Sequence, residues 1–143
     1  MGAIITLSLL GILILYLGLF KAKNALLPVS ILGLLGALAF EVYYWNVEAV
    51  TLYKGMVLFD HFALSFSMVC ISLTILILFL SKEYFNSFSD NIAEYYTLII
   101  FSLTGALLVS AYHNFAMLFI GLEIMSVALY ILVGIRRKDK ASN

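Results

Sequence analysis

Charged residues are scarce in this sequence. Asp, Glu, Lys and Arg make up 11% of its 143 residues, against about 25% in soluble globular proteins. Hydrophobic residues make up 64%, and the mean hydropathy is +1.11. Too few polar side chains remain to cover a water-soluble globule, so the composition excludes a soluble enzyme and predicts a membrane protein with the lipid bilayer as its surroundings.

The sequence also lacks an excess of basic residues, a second cysteine and cofactor-binding motifs. Eight basic and eight acidic side chains balance, and without a basic stripe nucleic-acid binding is excluded. A single cysteine, Cys70, excludes an internal disulfide and any cysteine-based metal or cluster site. The sequence contains no Walker loop, dinucleotide-binding glycine pattern, metalloprotease helix or Ser-His-Asp arrangement. We therefore expect no metal site and no cofactor site on this chain.

Long apolar segments are what the sequence has instead. A membrane-spanning helix needs about 20 mostly apolar residues, and such stretches as Ile75–Leu80 are apolar throughout rather than alternating as barrel strands do. We predict an all-α membrane protein, one transmembrane unit over residues 1–143. Its five spans are expected at residues 3–20, 26–45, 61–81, 93–112 and 115–135.

The residues between the spans also predict local structure. Residues 46–60 alternate in character around Val50–Tyr53 and predict a short extended or hairpin-like loop on the surface. Asp60 is a good N-cap for the third span. Glu94 falls in the first turn of the fourth span, where the helix dipole favours a carboxylate. Only His113 and Asn114 separate the last two spans, which predicts an antiparallel helical hairpin.

Basic residues predict the orientation in the membrane. The sole lysine expected on one side is Lys54, whereas seven basic residues are expected on the other. These seven are Lys21, Lys23, Lys82, Arg136, Arg137, Lys138 and Lys140. Cytoplasmic loops are enriched in Lys and Arg, so we predict an outside N-terminus and a cytoplasmic C-terminus. The first apolar segment precedes its basic residues, the reverse of a signal peptide, and is expected to remain as a helix.

Glu123 is the one acidic residue in the middle of a predicted span. It lies two residues from the centre of the fifth span, about 3 Å along the axis. An acid there costs about 2.5–3.5 kcal/mol on insertion scales, so it is expected to face protein or water. Apolar surroundings favour its neutral form unless a cation lies nearby, and such an acid can gain and lose protons.

Helical periodicity places small and hydroxylated residues on the face of Glu123. These are Ala116, Ser126, Tyr130 and Gly134, of which Ser126 and Tyr130 are candidate supporting residues. The opposite face, suited to lipid or to apolar packing, carries Met117, Ile124 and Leu132. Two interpretations stay open: Glu123 handles protons or ions, or it is a protonated side chain that hydrogen-bonds a neighbouring helix.

The other titratable residues are expected near the membrane surfaces. His61 and His113 are interpreted as wetted loop residues at span ends. The remaining glutamates are interpreted as solvated or placed by helix dipoles; they are Glu41, Glu48, Glu83 and Glu94.

The fourth and fifth spans resemble a known family. Glu94–Leu98, Phe101–Gly105 and above all Leu118–Gly134 are similar to the N subunit of proton-pumping NADH:quinone oxidoreductase, respiratory complex I. Phe59–Ala63 is similar more loosely, and the resemblance runs from Phe59 to Asn143. It implies that Glu123 is the family's membrane-embedded glutamate, which pairs with a lysine on a later, broken helix as part of a proton channel.

The resemblance also sets expectations for cofactors and partners. NADH, flavin, iron–sulfur clusters and quinone are expected on other subunits, and the partners are the other membrane-arm subunits. A bacterial inner membrane is expected rather than the mitochondrial one. The family is several hundred residues long, so these five spans would open an antiporter-like fold built from inverted repeats. We expect a truncated gene product, an expressed fragment or one piece of a split subunit.

Two alternatives to this function remain. A subunit of a multisubunit cation/proton antiporter would use Glu123 similarly without redox coupling. A structural membrane fragment would use it only to hold helices together.

Overall fold

The computed structural model describes residues 1–20, 23–82 and 92–134. Within these ranges five helices are long and apolar enough to cross a membrane. They are α1 (Gly2–Leu19), α2 (Lys23–Tyr43), α3 (His61–Leu80), α4 (Ile92–Ser110) and α5 (Phe115–Gly134). At 1.5 Å per residue each is about 27–32 Å long. The predicted five-helix architecture is confirmed, and each bound lies within three residues of its prediction. The orientation of the termini stays a prediction.

Helix α4 occupies the centre of the bundle. It packs against α1, α3 and α5 and touches α2, while α1 also packs on α2 and α2 on α3. The centre of the core is formed by branched aliphatic side chains from four helices, which are fully buried. They include Leu7, Ile14, Leu34, Ile71, Leu78, Ile100 and Leu107.

Small and hydroxylated residues bring the helices close together. A Cβ added to Gly11 of α1 would lie 2.9 Å from Cε1 of Phe101 on α4. The hydroxyl of Thr97 donates to the carbonyl oxygen of Gly11 at 3.4 Å, and the hydroxyls of Ser67 and Ser110 lie 3.5 Å apart between α3 and α4. Membrane helices associate through such close contacts and hydrogen bonds, since lipid tails are as apolar as leucine.

A β-hairpin covers one end of the bundle, and it is one of the two forms expected for residues 46–60. Strands β1 (Val50–Leu52) and β2 (Val57–Phe59) pair antiparallel, after a short 3-10 helix at Tyr44–Asn46. The turn between them uses positive φ angles at Tyr53, Lys54 and Gly55. Asp60 then caps α3, accepting from the backbone N–H of Ala63 at 2.8 Å, so the predicted N-cap is confirmed.

The hairpin is tied to the connection between α4 and α5. The N–H of Leu58 donates to the carbonyl of Ala111 at 2.8 Å, and the N–H of His113 donates to the carbonyl of Met56 at 3.0 Å. These two bonds give hydrogen-bond partners to backbone groups of the connection between α4 and α5, which is too short to form secondary structure of its own.

Candidate functional site

Glu123 lies in the middle of α5, as predicted. The helix begins after Asn114, whose side-chain oxygen accepts a hydrogen bond from the N–H of Met117 at 2.9 Å. Glu123 is the ninth of its 20 residues. The side chain is exposed and borders a shallow groove between α4 and α5. Leu98, Phe101 and Val127 line this groove beside it. The carboxyl group therefore lies near the mid-depth of the span, among apolar side chains.

Two glycines fix the position of α5 against α4. A Cβ on Gly105 would lie 2.5 Å from the nitrogen of Met125 and 2.8 Å from the carbonyl oxygen of Gly121. A Cβ on Gly121 would lie 3.0 Å from the backbone nitrogen of Val109. The two helices therefore touch backbone to backbone, and Glu123, two residues beyond Gly121, is held at a defined place along α4.

Helix α5 is the least buried of the five helices. Its buried residues are Gly121 and Ala128. The face predicted to be apolar packs against the core through Met117, Ile124 and Leu132. On the face of Glu123, Tyr130 is 74% exposed. The two faces are thus separated as periodicity predicts, and it is the face of Glu123 that the described helices leave uncovered.

Ser126 contacts the backbone of Glu123. Its hydroxyl donates to the Glu123 carbonyl oxygen at 3.2 Å. Hydroxyl groups in membrane helices commonly bond to a preceding carbonyl in this way. Its supporting role toward the carboxyl group itself stays a prediction, as does that of Tyr130.

A cationic partner for Glu123 is absent from the described part of the chain. Across residues 1–20, 23–82 and 92–134, Glu123 forms no ion pair, and its carboxyl group accepts no hydrogen bond. The basic side chains described here are Lys54, in the hairpin turn, and Lys82, two residues beyond α3. Both lie outside the spans, so a cation beside Glu123 has to come from elsewhere.

Glu41 corrects one prediction. It was expected to be solvated near the membrane surface, but it is 3% exposed. The reason is its helical position: Leu26, Ser30, Leu34 and Ala37 precede it at intervals of three and four residues and are buried too. This spacing is the signal that sequence reasoning missed, since it places Glu41 on the packed stripe of α2.

The Met1 α-amino group is an electrostatic neighbour of Glu41. Burial lowers the pKa of this amino group, and the Glu41 carboxylate acts in the opposite direction.

The remaining candidates lie at helix ends or in the connections between helices. The imidazole of His61 packs on the indole of Trp45, with ring centroids 5.2 Å apart, and both histidines are exposed as predicted. Glu48 and Glu94 are exposed, and Glu94 lies in the first turn of α4. Glu83 lies outside the described residues. Within the ranges the structure describes, no three His, Cys, Asp or Glu side chains are placed to hold a metal ion.

The chain is similar over nearly all of its length to known proteins. No family model matches the chain. NADH-quinone oxidoreductase subunit N of Flavobacterium psychrophilum is 34% identical over 143 residues, 100% of this chain and 31% of that protein. The same subunit of Cytophaga hutchinsonii is 35% identical over 140 residues, 97% of this chain and 30% of that protein. The chain's homologues are NADH-quinone oxidoreductase subunit N.

A chloroplastic protein is also among the relatives. Chloroplastic NAD(P)H-quinone oxidoreductase subunit 2 of Mesostigma viride is 32% identical over 142 residues, 99% of this chain and 28% of that protein. The chain spans about 30% of the length of the relatives it matches, which fits an N-terminal portion of subunit N. The resemblance expected over Phe59–Asn143 is confirmed and extends to the first two helices.

Proposed function

We propose that this chain is the N-terminal part of a membrane-arm subunit of NADH-quinone oxidoreductase and takes part in proton translocation coupled to quinone reduction, with Glu123 as a proton-relay acid. The observation that carries the proposal is the position of Glu123, at mid-span on the uncovered face of α5. The names of the relatives support the oxidoreductase over the antiporter alternative.

The chemistry follows from the surroundings of the carboxyl group. An ionised acid at the centre of a span is costly, by about 2.5–3.5 kcal/mol on insertion scales. Leu98 and Phe101 are its apolar neighbours. In general, apolar surroundings favour the neutral form of a carboxyl group, and a cation that approaches favours the carboxylate. Glu123 therefore releases its proton when a cation comes close and takes one up when it withdraws.

The cation is supplied by a segment outside the described residues. The resemblance to subunit N implies a lysine on a later, broken helix. The exposed face of α5, with Glu123 and Tyr130, is where a further helix can pack without disturbing the core, because Met117, Ile124 and Leu132 already contact that core.

In this proposal the chain carries out no redox chemistry. NADH, flavin, iron–sulfur clusters and quinone are bound by other subunits, and the chain couples their reaction to proton movement. Its partners are the other membrane-arm subunits, and its place is the bacterial inner membrane. Relatives that are subunits of a multisubunit oxidoreductase support this assignment.

The test is Glu123→Gln in the complete complex. Glutamine keeps the shape and the hydrogen-bonding capacity of the side chain but does not titrate, so proton pumping per NADH oxidised is expected to be abolished or sharply reduced. The matched control is Glu94→Gln, since Glu94 is exposed in the first turn of α4 and its substitution is expected to leave pumping unchanged. Normal pumping by an assembled Glu123→Gln complex would show that Glu123 only holds helices together.

A further inference from the structure

A cavity lies under the hairpin end of the bundle, away from the groove of Glu123. Its volume is about 220 Å³, and its walls come from the start of α1, the end of α2, the hairpin and α3. Ala3, Phe40, Leu52 and Leu64 form part of an apolar lining. The volume of the cavity exceeds the minimum of about 10–15 Å³ that one water molecule needs, so the cavity has room for several.

Glu41 brings a carboxyl group to this cavity. The side chain is 3% exposed, and within residues 1–20, 23–82 and 92–134 it has no hydrogen bond or ion pair. Yet every fully enclosed polar side-chain atom of the described residues has a hydrogen-bond partner. The carboxyl oxygens of Glu41 are therefore not fully enclosed, and the cavity is the space that they face.

The other charged and titratable groups at the cavity are few. They are the Met1 α-amino group on α1, Tyr44 after α2 and Glu48 in the loop that follows. The amino group attracts the Glu41 carboxylate without forming an ion pair with it, and Glu48 is exposed to solvent. From α3 and the hairpin, the lining residues are Leu64, Val50, Leu52 and Phe59, which are apolar.

We propose that this cavity is a hydrated proton-binding site, at which Glu41 takes up protons from water on the hairpin side and releases them to it. A carboxylate in an apolar enclosure is costly unless water or a cation compensates its charge, and the cavity supplies the space for water. Glu41 lies two residues before the end of α2, at the level of the hairpin, so the exchange path is short. The site is separate from Glu123, and nothing in it depends on quinone reduction.

Charge-selective chemical labelling tests the site. Leu52→Cys, on the cavity wall, is introduced into the full-length protein with Cys70→Ala, in its native membrane. Its labelling rates are measured with two methanethiosulfonates of similar size, one carrying a trimethylammonium group and one a sulfonate. Their ratio cancels the thiolate fraction, so its pH dependence reports the charge of the cavity.

An ionised Glu41 attracts the cationic reagent and repels the anionic one. We expect the cation-to-anion ratio at pH 9 to be at least about fivefold higher with Glu41 than in Glu41→Gln. As the pH falls, the ratio should decline to the Glu41→Gln value, which marks proton binding. Glu48→Gln is the matched control and is expected to keep most of the ratio and most of its pH dependence, because Glu48 is exposed to solvent.

Three results would overturn the proposal. Labelling by neither reagent means that the cavity is closed to water, and an equal ratio in Glu41→Gln means that another group sets the charge. A difference from Glu41→Gln that is constant from pH 4.5 to 9 means that Glu41 does not exchange its proton, since the Met1 amino group at the cavity changes the ratio of both proteins with pH. If Glu41→Gln fails to accumulate in the membrane, Glu41→Asp replaces it and has to retain a pH-dependent ratio. No turnover is needed, so the result is independent of the Glu123 test.

Discussion

Gly105 and Gly121 face each other where α4 and α5 cross. The carbonyl oxygen of Gly121 lies 2.8 Å from the place that a Cβ of Gly105 would take, and the carbonyl oxygen of Gly105 lies 3.2 Å from the corresponding place at Gly121. Neither position has room for a side chain. Because Glu123 follows Gly121 by two residues, the same contact sets the depth of the acid in the bundle.

Gly105→Ala is expected to destabilise the pair of helices. The added methyl group meets the backbone of α5, which has no flexible end to move away, so α5 has to shift. Overpacking of this kind costs about 1–3 kcal/mol. Thermal unfolding of the full-length protein in detergent measures the loss. The matched control is Gly36→Ala on α2, where an added Cβ meets nothing within 4 Å. An equal loss of stability there would show that the loss in Gly105→Ala does not come from the contact between α4 and α5.

Asp60→Ala is expected to weaken the start of α3. The Asp60 carboxylate accepts from the N–H of Ala63 at 2.8 Å, and removal of an N-cap costs about 1 kcal/mol. The loss should appear as faster amide hydrogen exchange in the first turn of α3. Asp60→Asn retains a capping oxygen and is expected to exchange nearly as slowly as the unsubstituted protein. Unchanged exchange in Asp60→Ala would mean that the pairing of β2 alone holds this turn.

Gly55→Ala is expected to loosen the hairpin without affecting the helices. Gly55 has φ of +82°, a conformation that costs other L-residues about 1–2 kcal/mol. Hydrogen exchange at the amides of β1 and β2 should accelerate about 5- to 30-fold, since 1.4 kcal/mol is a factor of ten in an equilibrium constant. Thr51→Ala, at an exposed position of β1, is the control. Equal exchange in the two variants would mean that the turn at Gly55 carries no strain.

The helices and their ends were predictable because the signals are local. Apolar length defined each span, and Asp60 and Glu94 marked helix starts through the unsatisfied N–H groups there. The two faces of α5 followed from periodicity. The contact between Gly105 and Gly121 was not predicted, because a close approach depends on which helices become neighbours.

Glu41 shows where reasoning from position alone fails. Its place near the end of a span suggested contact with lipid headgroups. The depth of a residue in the membrane, however, does not determine whether its side chain packs against neighbouring helices. The stripe formed by Leu34, Ala37 and Glu41 reports the packing, and for Glu41 the packing decides. Glu123 is the opposite case: its place in the middle of α5 was predicted, and its exposure is set by the helices that α5 contacts.

Ser126→Ala is expected to have little effect on proton pumping in the complete complex. The Ser126 hydroxyl donates to the backbone carbonyl of Glu123 at 3.2 Å, so its loss leaves the titrating carboxyl group in place. Removing one such bond within a helix costs about 1 kcal/mol or less, and we expect pumping to stay within about twofold of normal. Pumping per NADH oxidised is measured beside Glu123→Gln. A loss as large as that of Glu123→Gln would instead place the Ser126 hydroxyl on the proton path, through a second rotamer that reaches the carboxyl group.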